Sequence, residues 1–172
     1  MKTKRTMKLE VRQAVESDLE RLNRDVKPSF GRTFAQELAE QAAGLQSIVI
    51  ALKDEDCIGW GFIHWPGPRD AENRKRFPDA PELFRLEVEA SHRARGIGTQ
   101  VIKDMEALVK ARGFRQVSLG VGHENPRAYK LYKRLGYEDT EITEYYDEYQ
   151  YPLPDGGVAT AKDLCRYLVK VL

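Results

Sequence analysis

The residues best equipped for chemistry in this chain run Arg93-Ala94-Arg95-Gly96-Ile97-Gly98-Thr99. An apolar stretch ends just before them at Val88, and a segment with helical periodicity begins among them. Glycine at 96 and 98 takes away side chains, so the backbone can turn tightly and come close to a ligand. A helix opening there directs the unpaired amides of its first turn, and the positive end of its dipole, out of the turn. That makes a site for an anion and suits a pyrophosphate. Arg93 and Arg95 put positive charge beside it. A plain loop ahead of a helix would use the same glycines, so the turn by itself leaves both readings open. Two other phosphate loops fit less well. A P-loop needs Lys followed by Ser or Thr after its last glycine, and here Thr99-Gln100 follows Gly98. A dinucleotide fingerprint needs a third glycine where Val101 stands, and an acid closer to the turn than Glu124.

Around this turn the apolar pattern supplies the elements that must hold it. Leu83–Glu89 reads as a strand running into it. The helix after it spans about Gly98–Arg112, with Val101, Ile102, Met105, Leu108 and Val109 on one face and Gly113 as its cap. Gln116–Gly122 is a strand. Asn125 caps a further helix with Pro126 at its first position. Ala128, Leu131, Tyr132 and Leu135 form its buried stripe, and Gly136 ends it. Upstream, Leu9–Arg12 can form a short strand. Ser17-Asp18-Leu19-Glu20 has the form of a capping box, followed by Leu19, Leu22 and Val26 on one face and Pro28 as a stop. Phe30, Phe34, Leu38 and Ala42 predict a second helix, closed by Gly44. Ser47–Lys53 and Cys57–Trp65 read as strands joined by a hairpin turn at Asp54-Glu55-Asp56. Pro66–Pro81 is a polar loop, long for a hairpin, and either functional or merely mobile. Tyr137–Tyr151 and Leu164–Val171 read as closing strands around Pro154-Asp155-Gly156-Gly157. The order is strand, two helices, three strands, helix, strand, helix, two strands, which predicts a mixed sheet flanked by helices.

The chain has 172 residues, 41% apolar and 32% charged, enough for one domain with a real core. No apolar run approaches the ~20 residues that cross a bilayer. Residues 1–8 are basic without the apolar core of a signal peptide and read as a flexible tail before a single domain over 9–172. The expected location is the cytoplasm, with no membrane partner. Cys57 and Cys165 lie in apolar segments and read as core, and no Cys/His spacing suggests a metal. Net charge is +1 but uneven: His92–Arg134 holds ten Lys/Arg against three Asp/Glu, and Glu138–Ala161 holds seven Asp/Glu and no Lys/Arg. Such asymmetry marks either two partners of opposite charge or two solvated faces that differ.

Two motifs together resemble the GNAT superfamily of N-acetyltransferases. The first is Arg93-x-x-Gly96-x-Gly98 between a strand and a helix. The second is Asn125, Ala128, Leu131 and Tyr132 along a helix closed by Leu135-Gly136-Tyr137. The motifs cover about the middle third of the chain, and the order of elements agrees over nearly all of it. The resemblance implies an α/β fold of the α+β type, with a mixed, mostly antiparallel central sheet of about seven strands flanked by about four helices. It implies acetyl-CoA as cofactor, with the amides of Arg95, Gly96, Ile97, Gly98 and Thr99 on its pyrophosphate and Arg93 adding charge. The strand at Leu86–Val88 would splay from Gln116–Gly122 and pair with the pantetheine arm, and the amide of Val88 would polarise the thioester carbonyl. Asn125 sits at a cofactor-contacting position of the family, although a helix cap explains it equally well. Tyr132 sits where the family often has the acid for the departing thiolate, and a core aromatic is its other reading.

The attacking amine must be neutral, so a base or a water relay is needed. Glu82 falls where some members carry a catalytic Glu, Glu87 is a second candidate, and His123 a third. On the acidic closing strands Tyr145, Asp147 and Glu148 would receive a cationic amine through charge and cation–π contact. The implied activity is acetyl transfer from acetyl-CoA to a primary amine, on a small molecule or a protein, by direct attack on the thioester. The alternative is a regulatory module of the same fold that binds acyl-CoA without turnover. An oxidoreductase on a Rossmann-like sheet is opposed by Val101 and by the element order, and nucleic-acid binding by the near-neutral charge. An exposed closing strand could pair with a second copy to form a homodimer.

Overall fold

The computed structural model describes residues 8–172, so the tail expected over 1–8 lies, except for Lys8, outside the described residues. The chain runs β1 (Leu9–Gln13), α1 (Leu19–Asp25), α2 (Phe34–Ala42), β2 (Gln46–Lys53), β3 (Asp56–His64), α3 (Ala71–Arg76), β4 (Glu82–Val88), α4 (Ile97–Ala111), β5 (Gln116–Gly122), α5 (Pro126–Arg134), β6 (Glu138–Asp139), β7 (Tyr145–Pro152) and β8 (Val158–Val171). Short 3-10 turns precede α1 and α4. The strands lie in the order β1-β2-β3-β4-β5-β8-β6, with β7 paired to the outer part of β8. β4 and β5 are parallel and every other pairing is antiparallel. This is the mixed, mostly antiparallel sheet that the sequence predicts.

Side-chain alternation explains the layers. Along β2, Ile48, Ile50 and Leu52 join one apolar cluster and Val49 and Ala51 the other. Strands buried on both faces need helices above and below. Leu22 of α1 with Phe34 and Leu38 of α2 cover one face. Val101, Ile102, Met105 and Val109 of α4 cover the other, each 0% exposed. Each such side chain contributes roughly 1.5–3 kcal/mol relative to exposure. Among the described residues no helix is long and apolar enough to cross a membrane. Both cysteines are free and buried, and burial raises the Cys57 thiol to about 12 and Cys165 to about 11.

Several local expectations are corrected. Ser17 does not cap the first helix. The buried Asp18 closes that turn by accepting from the Val15 amide at 2.8 Å, and it also accepts two hydrogen bonds from Arg12 at 2.7 and 2.9 Å. Phe30 lies outside α2, because Thr33 and Gln36 form the capping box that starts the helix three residues later. The 66–81 segment is not a plain loop. Asp70 accepts from the Asn73 amide at 2.8 Å and starts α3, whose last turn carries Arg74, Lys75 and Arg76 where the helix dipole favours cations. The apolar stripe of α5 is only half-buried, because that face borders a cleft. The closing strands are shifted. Residues 140–144 break the first of them, and β8 begins at Val158, so its outer half forms a two-stranded ribbon with β7.

Candidate active site

The sheet parts at its centre. β4 and β5 pair only at Glu82–Ser118 and Leu83–Leu119. From Phe84 to Val88 the edge of β4 that faces β5 therefore has no ladder partner. A bulge in β4 sets the side chains beside this gap. Its ladder to β3 slips between Trp60 and Phe62, where Arg85 takes a left-handed φ of 50°. Phe84 and Arg85 then fall on the same face. Phe84 joins the α1/α2 cluster, and the Arg85 guanidinium lies 4.4 Å over the Phe62 ring. Leu83 and Leu86 consequently both pack on the α4 side. Strict alternation would have placed them on opposite faces.

The turn after β4 carries the glycines and arginines of the first motif. Gly96 caps α4 with φ at 80°, a region that costs other residues energy, while nothing lies within 4 Å of where its Cβ would be. Dihedral freedom, not space, requires glycine there. Buried Ile97 anchors the start of α4 in the core. Side chains cap α2, α3 and α5, through Thr33, Asp70 and Asn125, but none caps α4. Its first-turn amides are therefore free to meet an anion. They open on a cleft of about 970 Å³ between β4, the turn and α5, at the large end of the usual range for ligand pockets. Leu86, Val88, Arg93, Gly96, Ile97, Gly98, Thr99, Asn125 and Tyr132 line it, as does Glu87. Arg95 does not; it is exposed outside the lining. The Arg93 Nε donates to the Val88 carbonyl at 2.9 Å, so this side chain ties the turn to the end of β4. The cleft also takes in His92, Arg127, Lys130 and Arg134, which the motifs did not single out. Three of these are spaced along one face of α5, and their only signal in the sequence is the basic excess between 92 and 134.

A smaller chamber of about 350 Å³ continues from the cleft along Leu83–Leu86, Leu119, Gly120 and Asp163. Tyr132 and Asn125 line both spaces. The Asn125 Oδ1 accepts from the Ala128 amide at 3.1 Å as a helix cap, which leaves its amide nitrogen for a ligand. The Tyr132 ring packs edge-on to Tyr137 at 5.8 Å, and burial pushes its phenol up to about 12. It stays protonated at neutral pH and can serve as a hydrogen-bond donor or an acid.

The candidate acids and acceptor residues separate. Glu82 is 3% exposed and accepts from the Arg69 Nε at 2.6 Å, the Arg69 amide at 3.2 Å and the Tyr167 hydroxyl at 2.8 Å. Tyr167 also shares a hydrogen bond with Ser118 at 2.8 Å. Glu87 stands exposed on the cleft. The His123 Nε2 lies 2.9 Å from the Thr143 carbonyl, which fixes it as the donor there. Tyr145 and Asp147 share one face of β7. Tyr145 packs against Tyr167 at 5.7 Å, and its hydroxyl lies 1.8 Å from where a Cβ on Gly120 would be. Only glycine at 120 leaves it room. Burial raises both the Tyr145 phenol and the Asp147 carboxyl, while Arg69, 3.7 Å from Asp147, opposes the latter. Glu148 alternates to the other face and pairs with Lys162 at 2.8 Å, so it does not join Tyr145 and Asp147.

Comparison with known proteins agrees with this geometry. A family model described as the acetyltransferase (GNAT) family matches residues 10–137. An uncharacterized N-acetyltransferase of Methanocaldococcus jannaschii is 42% identical over 64 residues, which is 37% of this chain and 28% of that protein. A [ribosomal protein bS18]-alanine N-acetyltransferase of Haemophilus ducreyi is 31% identical over 90 residues, 52% of this chain and 59% of that one. The chain thus spans less than two thirds of the length of these curated relatives. The crystal structure of a PaiA N-acetyltransferase from Thermoplasma acidophilum in complex with coenzyme A has the same fold, with a TM-score of 0.64 at 17% identity over 96% of this chain and 100% of that one. A protein from Elizabethkingia anophelis solved with acetyl-CoA bound gives 0.58 at 18% identity over 95% and 98%.

Proposed function

The chain belongs to the GNAT acetyltransferase family, and from that premise we propose that it moves an acetyl group from acetyl-CoA to a primary amine by direct attack of the amine on the thioester. The observation that carries this reading is the parting of β4 and β5 beside an uncapped helix start. A long anionic ligand with an extended amide-bearing arm fits that arrangement. The uncapped amides at Gly96–Thr99 take the pyrophosphate, with Arg127, Lys130 and Arg134 adding charge across the cleft. The open edge of β4 at Leu86–Val88 receives the arm as an added strand. Acetyl-CoA supplies an acyl group already activated as a thioester. The Val88 amide donates to the oxygen on which charge builds, and Tyr132 holds a proton at its hydroxyl for the leaving sulfur. Glu87, open on the cleft, is the better-placed base. Glu82, with three hydrogen bonds already made, holds Arg69 and Tyr167 in position. Tyr145 and Asp147 face the incoming amine, and Glu148 does not take part.

The acceptor is a primary amine on a small molecule or a protein, and the reaction runs in the cytoplasm. Release of free thiol across a panel of amines, in the presence of acetyl-CoA, tests the proposal. Thiol release that needs an amine supports transfer. Acetyl-CoA binding without release for any amine, peptide N-termini included, would favour the regulatory module instead. In a competent enzyme Glu87→Gln lowers kcat by about 100-fold, whereas Glu82→Gln acts mainly on stability.

A further inference from the structure

One polar cluster, which reaches the cleft through His92, has no part in the reaction as described. In the 3-10 turn Ala90–His92, the His92 Nδ1 lies 2.7 Å from a Glu89 carboxylate oxygen and 3.0 Å from the Ser91 hydroxyl. Ser91 donates its hydroxyl and its amide to the same Glu89 oxygen. These hydrogen bonds, from Ser91 first and His92 second, hold the Glu89 carboxyl below its ordinary value, so it remains an acceptor. An ionised carboxylate can only accept, and Nδ1 must therefore carry the proton. The other ring nitrogen, Nε2, is left for a ligand in the cleft that His92 lines. In the neutral ring Nε2 presents a lone pair, which repels a phosphate oxygen. In the imidazolium it presents an N–H, which binds one.

We infer that His92 binds a phosphate of the acyl carrier only as the imidazolium, so that capture of the carrier takes up a proton. The inference rests on reading the cleft as the acetyl-CoA site. Other charged groups face the same space. Glu87 comes from β4, Arg93 from the turn, and Arg127, Lys130 and Arg134 from α5. Among the described residues that line this cleft His92 is the only imidazole, so its Nε2 is the cleft nitrogen that can exchange a lone pair for an N–H.

The test is calorimetric binding of coenzyme A at pH 6 and pH 8 to the wild-type chain, His92→Gln and Glu89→Gln. The ligand's own phosphate also titrates near ~6, but it does so equally for all three proteins, so the comparison between them isolates His92. A charge-assisted hydrogen bond in a cleft open to water predicts that His92→Gln weakens binding about 10-fold at pH 6 relative to wild type, with the two converging at pH 8. Glu89→Gln frees the ring and removes a negative neighbour, so it binds more tightly at pH 8 and loses most of the gain on acidification. Binding heats in buffers of different ionisation enthalpy should show proton uptake at pH 7 that disappears in His92→Gln. Equal weakening of His92→Gln at both pH values, or an unchanged pH profile, would overturn the inference while leaving the site intact. Failure of the wild-type chain to bind coenzyme A at either pH would instead remove the site and the inference together.

Discussion

Tyr132→Phe isolates one oxygen. The ring keeps its edge-on contact with Tyr137 at 5.8 Å, so the variant should fold and bind acetyl-CoA with KM within about two-fold of wild type. The size of the kcat loss follows from where burial sets the phenol. At about 12, full transfer to a thiolate whose conjugate acid lies near ~8.5 runs uphill by about 5 kcal/mol. In the proposed reaction Tyr132 would therefore stabilise the leaving sulfur first as a hydrogen-bond donor and complete the transfer late. A hydrogen bond to a charged group is worth about 1.5–3 kcal/mol, which predicts a loss of roughly 10- to 100-fold in kcat. The loss should hold across pH 6 to 9, because the phenol stays protonated through that range. Steady-state thiol release with the best amine is the assay. A loss under about three-fold, or a KM that rises in step with the fall in kcat, would refute the assignment of the proton to Tyr132.

Gly98→Val should raise the acetyl-CoA KM at least 10-fold with little change in Tm. Its Cβ would sit 3.6 Å from the Val88 side chain in ordinary contact, and only the added methyls intrude on the cleft. Gly120→Ala collides with the Tyr145 hydroxyl and should cost about 1–3 kcal/mol by urea unfolding. Adding Tyr145→Ala should recover most of that loss, giving a strong coupling in the double-mutant cycle. Asp18→Asn should destabilise by about 2 kcal/mol at pH 7, because it leaves Arg12 and Arg21 beside a neutral amide. The Asp18 carboxyl is held below its unfolded value, by the Arg12 hydrogen bond above all. Its contribution is thus complete above about pH 4 and lost as pH falls through the lower folded value, so the Tm gap to wild type should narrow in acid.

Most of the fold was legible because long apolar runs and caps are local signals. Gln116–Gly122 is bounded as predicted, and Asn125-Pro126 starts α5 as its chemistry requires. The glycine turn that opens α4 was legible for the same reason. What escaped depends on partners far away in the chain. The bulge at Arg85 exists because Phe62 and Glu37 receive its guanidinium on the opposite face, and nothing within β4 itself announces that. Helix α3 is held by contacts of Arg69 with Glu82 and of Arg76 with Glu141. Its six residues are too few for a periodic pattern to emerge among prolines. The half-buried stripe of α5 looked like core because a helix facing a ligand cleft needs the same apolar residues as one facing the interior. Glu82 lay at the expected position on β4, but its three hydrogen-bond donors come from elsewhere in the chain and could not be counted from sequence.

If the cleft between the uncapped start of α4 and the open edge of β4 holds acetyl-CoA, the purified protein binds it at one site. Calorimetric titration of the purified protein with acetyl-CoA, with NAD as the control ligand, tests it directly. The expected result is micromolar binding of acetyl-CoA, weakened at least about 10-fold by Gly98→Val, with no heat from NAD. A folded protein that binds neither ligand, or a Gly98→Val variant that binds acetyl-CoA as well as wild type, would contradict it.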